Sequence, residues 1–233
     1  MSKALKIGIM GAMAEEIELL HKHVERANSF EKAGITYVSG HLHGHEVIFC
    51  KSGVGKVNAA VCTQLLIDAG ADCILFTGVA GALDPSLNIG DIVVSTSCQQ
   101  HDMDCRPLGF SRGEIPFQDV SEWVADAALV DLAVRACEDL FPGRSMKGKV
   151  LSGDQFVASR ELVRELHEEL GGACTEMEGA SLAQVCVMNG TPFVVIRSMS
   201  DKADGSAHVN FADFTVTASV NSHRIIDEML RRM

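Results

Sequence analysis

The chain has 233 residues, enough for one sizeable core and short for two independent domains. Hydrophobic residues make up 47% and charged residues 22%, the balance of a soluble globular protein. A formal net charge of −11, with no block of Lys or Arg, argues against nucleic acid or an anionic membrane as a partner.

Lys6 to Met10 is a compact apolar strand closed by Gly11. Residues 13–26 follow a helical pattern, with Met13, Ile17, Leu20 and Val24 on one stripe. Glu16 falls about 60° from Met13, at the edge of that stripe. Thr36–Val38 and Glu46–Cys50 predict a hairpin around a His-Gly turn, and Val57–Ala69 a helix. Cys73–Thr77 is a buried strand running into Gly78-Val-Ala-Gly81. Ile92–Ser95 is a strand, 96–118 a long irregular loop and 121–140 a helix. Lys149–Leu151 is a strand entering Ser152-Gly-Asp-Gln-Phe156, followed by a charged helix over 159–170. Thr175–Met177 is a short strand, and 179–189 a helix stopped by Asn189-Gly190. Phe193–Arg197 is the last central strand, and 211–232 a closing helix with Phe214, Ala218, Ile225 and Met229 inward.

Strands and helices alternate, and the strands are buried on both faces. That predicts an α/β fold with a mostly parallel sheet, in one domain over residues 1–233. Eight cysteines, none spaced Cys-x-x-Cys and most in apolar runs, fit buried free thiols of a reducing, cytoplasmic compartment. The N-terminal residues make a poor signal peptide, and no apolar run approaches the roughly 18 residues of a membrane span.

Several chemical motifs fail on spacing. Gly8-Ile-Met-Gly11 lacks the third glycine of a dinucleotide fingerprint, and Gly53-Val-Gly55-Lys56 has the wrong glycine spacing for a phosphate loop. His41, His43 and His45 belong to the hairpin rather than to a metal site, and His101-Asp102-Met-Asp104 is better explained by loop hydrogen bonding. No metal or cofactor is expected. Ligands of open α/β sheets sit outside the carboxyl ends of the strands, and Glu16, Gly78–Gly81, Phe156, Glu178 and Asp201 all follow predicted strand ends. Glu176 and Glu178 flank Met177 and share one face of a strand, where two glutamates need partners or a surface. Arg197, ending an apolar strand, suits an ion pair or a ligand. Isolated acids at element ends, away from any metal-ligand cluster, point to acid–base chemistry on a neutral organic substrate.

Six segments together resemble one family: Ile7-Gly-Ile-Met-Gly-Ala-Met13-Ala-Glu-Glu16, Ser52-Gly-Val-Gly-Lys56, Phe76-Thr-Gly-Val-Ala-Gly81, Ser152-Gly-Asp-Gln-Phe156, Thr175-Glu-Met-Glu178-Gly-Ala and Arg197-Ser-Met-Ser-Asp201-Lys-Ala-Asp. In that order they resemble the 5′-methylthioadenosine/S-adenosylhomocysteine nucleosidases. The resemblance implies a three-layer α/β/α fold with a mixed, mostly parallel central sheet, as in the nucleoside phosphorylase-like proteins, and a homodimer. It implies hydrolysis of the N-glycosidic bond of 5′-methylthioadenosine, S-adenosylhomocysteine and 5′-deoxyadenosine. By matched position, Glu16 would activate the attacking water and Asp201 would protonate purine N7, with Ser200 and Arg197 beside it. Phe156 would stack on the purine and the Val157 backbone would bond its edge. Met177 and Glu178 would hold the ribose, with Gly81 in a substrate-contacting loop. Met13, Val54 and Phe211 would line the 5′-alkylthio pocket. The 105–117 loop matches one lent across the dimer, so Cys105, Leu108 and Phe110 would complete the partner's site; this loop departs most from the commonest family pattern.

The residue types suit that chemistry. A purine anion is a poor leaving group, so cleavage needs a carboxylic acid that holds its proton near neutrality, and partial burial at a strand end moves an Asp that way. Anionic carboxylates stabilise the oxocarbenium-like sugar, and water arriving opposite the base predicts inversion. Three alternatives stand beside this: an aminofutalosine nucleosidase using the same residues, a phosphorolytic purine nucleoside phosphorylase, and a non-catalytic nucleoside sensor. Phosphorolysis needs cations for phosphate, and the Gly8–Glu16 segment has no arginine. A sensor has no need of Glu16, Glu178 and Asp201 together.

Overall fold

The computed structural model describes residues 5–202 and 207–233, with the backbone alone for 207–213 and 215. The first strand, β1 (Lys6–Gly11), is a run of small and β-branched residues buried on both faces. It pairs in parallel with β4 (His45–Lys51) on one side and β5 (Cys73–Ala82) on the other. β10 (Phe193–Asp201) extends the parallel block beyond β5. Both-face burial is what βαβ crossovers require, and Ile7, Ile9, Val47, Phe49, Ile74, Phe76, Val194 and Ile196 form its interior.

Antiparallel additions make the sheet mixed. β2 (Glu25–Lys32) and β3 (Ile35–Leu42) extend it outward from β4, and the β3–β4 hairpin turns at His43-Gly44 as the sequence predicts. On the other side β6 (Ile92–Gln100) pairs antiparallel with β10, and β8 (Ser145–Ser152) and β9 (Gly172–Glu176) follow it in parallel. The end of β9 then returns to β5, Thr175 standing opposite Gly81. Five strands thereby close into a ring, which gathers the ends of β5, β8, β9 and β10 at one rim.

Helices cover both faces. α6 (Ala207–Arg232) packs on β5 and β10 between α1 (Ala14–His23) and α3 (Ala127–Leu140). α2 (Lys56–Asp68) packs against α5 (Gly179–Asn189) on the opposite face, and α4 (Arg160–Leu170) lies on β9. Gly190 (φ 66°) stops α5 in the left-handed conformation that glycine adopts without strain. No helix among the described residues is long and apolar enough to cross a membrane.

Four expectations need correction. The first helix ends at His23, and residues 25–32 form the exposed strand β2. β5, β6 and β10 each run well past the apolar core predicted for them, to Ala82, Gln100 and Asp201. The helix expected from residue 121 begins at Ala127, after a three-residue strand β7 (Glu122–Val124) on β6. Phe214, expected inward on α6, is 39% exposed, whereas Ala218, Ile225 and Met229 are buried as the pattern requires.

Candidate active site

A cavity of about 290 Å³ opens at the rim where β5, β9 and β10 end. It is lined by Met13 and Glu16 at the start of α1, Val54 before α2, Gly81 on β5, and Phe156 and Val157 after β8. Met177 and Glu178 after β9, and Ser200 and Asp201 on β10, also line it, as do Gln155, Thr175 and Glu176. The structure thus brings ten of the twelve expected site residues to one cavity. Phe211 sits on α6, but its side chain lies outside the described residues.

Arg197 is the correction. It does not line the cavity but lies behind it, 1% exposed, pairing through Nη2 with the Glu176 carboxylate and stacking its guanidinium 3.8 Å above the centre of the Phe76 ring. It is the fifth of the nine residues of β10, at the middle of the strand rather than its end, where its charge faces Glu176, Glu16 and Glu178.

Glu16 occupies the third position of α1 and turns back to the helix start. Its Oε2 accepts from the N–H groups of Ala12 (2.6 Å) and Met13 (2.9 Å), the reach-back bond of a capping arrangement. Its Oε1 accepts from the Val79 N–H at 3.2 Å. Burial pushes the Glu16 carboxyl above its ordinary value, against the opposing pull of the Arg197 charge and these three N–H donors. A carboxylate held in place yet moved toward neutrality is a competent base.

Gly78 makes this approach possible. A Cβ there would lie 2.3 Å from Arg197 Nη1 and 2.6 Å from Glu16 Oε1, so only glycine lets the acid and the arginine meet across β5.

Glu178 accepts from the Gly55 N–H at 2.7 Å. Burial, reinforced by the nearby negative charge of Glu176, pushes its carboxyl up to about 8. Asp201 is buried at the end of β10, where the Ser200 hydroxyl donates to its Oδ2 at 2.8 Å. Asp201 stands opposite Gly81 in the β5 ladder, two residues beyond Val79. At a strand rise of about 3.3 Å per residue, the Glu16 and Asp201 anchor points are roughly 7 Å apart along β5.

Glu176 is the functional residue that sequence reasoning left without a role. Its carboxylate accepts from the N–H groups of Glu178 (3.2 Å) and Gly179 (2.9 Å), from the Ser152 hydroxyl and from Arg197. The alternation Glu176-Met177-Glu178 was its signal, although β9 ends at Glu176 and Glu178 caps the start of α5, so the two acids do not share a strand face as expected. The backbone donors of Ala12, Met13, Gly55 and Val79 have no side-chain signature at all.

Among the described residues no group of His, Cys, Asp and Glu is placed to hold a metal ion. His43 bonds Asp227 across to α6, and Asp104 pairs with Arg106, so neither histidine-rich motif assembles donors. Leu108 is 70% exposed and, with Cys105 and Phe110, lies outside the chain's own cavity.

The model of the phosphorylase superfamily matches residues 6–231. A relative named 5′-methylthioadenosine/S-adenosylhomocysteine nucleosidase, from Halalkalibacterium halodurans, is 40% identical over 98% of this chain and 99% of its own. A solved nucleosidase of the same name from Neisseria meningitidis, in complex with methylthio-immucillin-A, superposes with a TM-score of 0.93 at 36% identity, covering 98% of this chain and 99% of that one. The futalosine hydrolase of Helicobacter pylori superposes with a TM-score of 0.93 at 33% identity, covering 99% of both chains.

Proposed function

The chain belongs to the phosphorylase superfamily and, within it, to the 5′-methylthioadenosine/S-adenosylhomocysteine nucleosidases, and from that membership we propose that it hydrolyses the N-glycosidic bond of 5′-methylthioadenosine, S-adenosylhomocysteine and 5′-deoxyadenosine, releasing adenine and the 5-substituted ribose. The observation that carries this reading is the convergence of Glu16, Glu178 and Asp201 on one cavity whose apolar wall includes Met13, Val54, Phe156 and Val157.

In this mechanism the purine lies against Phe156, its edge toward the Val157 backbone and its N7 toward Asp201. Asp201 delivers the proton that turns the purine into a neutral leaving group, and the Ser200 hydroxyl fixes the carboxyl's orientation. Glu178 and Met177 hold the ribose. Glu16 takes a proton from the water that attacks the anomeric carbon, and its charge favours the oxocarbenium-like sugar. Separation of the two carboxyls by the sugar and a water gives inversion. Met13 and Val54, with Phe211, suit a thioether tail.

Phosphorolysis is disfavoured because no Lys or Arg lines the cavity among the described residues, and Arg197 is engaged by Glu176. Aminofutalosine hydrolysis is the second reading, favoured by the likeness to the futalosine hydrolase. Comparing turnover of aminofutalosine with that of 5′-methylthioadenosine decides between them. A sensor is disfavoured by the three buried acids.

The same proposal makes the whole chain one nucleosidase domain and a cytoplasmic homodimer. All eight cysteines are free, which suits a reducing compartment. Exposed apolar residues on α2 (Val57, Val61), α5 (Val187, Met188) and the 105–117 loop (Leu108, Phe117) supply a face for a second copy. Cys105, Leu108 and Phe110 then complete the partner's site.

Adenine release in phosphate-free buffer tests the chemistry. Asp201→Asn and Glu16→Gln should each lose about 10²–10⁴-fold in kcat while remaining folded. Parental turnover in Asp201→Asn removes the acid assignment, and parental turnover in Glu16→Gln removes the base.

A further inference from the structure

We propose that Asp102 is a positioning residue for purine binding, its carboxylate fixing the loop that carries Phe156 and Val157 to the start of helix α2. The inference rests on the nucleosidase reading and adds a residue that touches no substrate.

Residues 153–159 form no regular secondary structure, so the loop after β8 depends on side chains for its place. Asp102 Oδ2 accepts from the Asp154 N–H at 3.0 Å, and Asp102 Oδ1 accepts from Lys56 Nζ at 2.7 Å. Asp154 Oδ1 in turn accepts from the Lys56 N–H at 2.8 Å. Asp102, Lys56 and Asp154 therefore close a small cycle joining the end of β6, the start of α2 and the purine loop. Lys56 Nζ also donates to Gln100 Oε1 at 3.0 Å, and Gln100 Nε2 to Gln184 Oε1 at 2.9 Å, which anchors the cycle on α5.

Steric fit leaves the loop little freedom within that cycle. A Cβ at Gly55 would meet Asp154 Oδ1 at 3.1 Å, and one at Gly153 would meet the buried His101 ring at 2.5 Å. Burial of Asp102 works to raise its pKa, but the Lys56 ammonium and the Asp154 N–H prevail and hold it below the usual carboxylate value. It is thus an ionised acceptor, and charge-assisted bonds are the stronger kind.

The two amides at the head of α2 have divided duties. The Gly55 N–H serves Glu178, which faces the ribose, and the Lys56 N–H serves Asp154, which leads the purine loop. Asp102 sets the second of these and, through Lys56, steadies the first. Loss of its carboxylate should loosen the purine platform without touching the acid or the base.

Asp102→Ala should weaken adenine binding by calorimetry about tenfold and raise KM for 5′-methylthioadenosine about equally, with kcat changed less than about threefold. Asp102→Asn, which keeps one acceptor for Asp154 but no charge for Lys56, should fall between. A merely structural role would lower the melting temperature and leave adenine affinity and KM at parental values, and that result overturns the proposal. If the alanine variant fails to fold, Asp102→Asn decides on the same two readouts, parental values again overturning it. If the parental enzyme binds adenine but releases none from nucleosides, the nucleosidase reading fails instead, and adenine affinity still reports on Asp102.

Discussion

Glu178 shows how the site stores electrostatic cost. Its carboxyl is pushed from the ordinary 4.5 up to about 8, first by burial and then by the charge of Glu176, while Arg197 and the Gly55 N–H oppose the rise. The folded chain therefore binds a proton at this position that the unfolded chain has already released between pH 4.5 and pH 8. Stability contributed here is present below pH 4.5 and is lost as pH rises through about 8. Ribose hydroxyls donating to the carboxylate would favour its ionised form and offset that loss. Glu178→Gln removes the titration, so the melting temperature of the ligand-free variant should fall less steeply than the parent's between pH 5 and pH 8. Parallel curves for the two proteins would show that Glu178 is not protonated in the folded state.

Elements rather than single residues decide which parts of this site are readable from sequence. Glu16 and Asp201 were legible because each stands beside an apolar strand, and the helix over 179–189 and the β3–β4 hairpin were legible from period and turn residues. β2 was not, because Glu25–Lys32 is exposed throughout and carries no burial period. The glycine-rich second half of β5 looks like a turn, yet it pairs with β10 as far as Gly81 and so forms the floor of the cavity. The return of β9 to β5 is a long-range pairing with no local signal. Gly78 is where strand geometry becomes chemistry. Adding one methyl there brings a Cβ to 2.3 Å from Arg197 Nη1 and 2.6 Å from Glu16 Oε1. Gly78→Ala should displace the base by about an ångström and lower kcat on the order of 10²-fold. The fold should persist, because glycine within a strand is not required by its backbone there. Steady-state turnover with circular dichroism tests it, and unchanged kcat in a folded variant would show that Glu16 need not approach β5 to act.

At the scale of the whole molecule, exposed apolar side chains also occur on β2 (Phe30), β7 (Val124) and α6 (Val216, Val220), but one group of them sits on two helices that pack together. Val57 and Val61 are one turn apart on α2, and α2 packs against α5, which carries Val187 and Met188. The Asn189 amide donates to Gln64 Oε1 at 2.9 Å, which ties the two helices together beside these residues. Leu108 and Phe117 (93% exposed) project from a loop that contributes nothing to its own cavity. Exposed large side chains on two packed helices and a loop suit the second copy of the chain proposed above. Met188, 78% exposed, is the sharpest probe of this arrangement. A carboxylate there meets water in the isolated chain and costs its fold little. In the dimer it would be an uncompensated buried charge. Met188→Glu should therefore sediment as a monomer at micromolar concentration with an unchanged melting profile at high dilution. Its turnover should fall together with the dimer fraction, because Leu108 and Phe110 would no longer reach a neighbouring site. A variant that remains dimeric moves the interface elsewhere, and a monomer with full activity shows that each cavity is complete without the partner's loop.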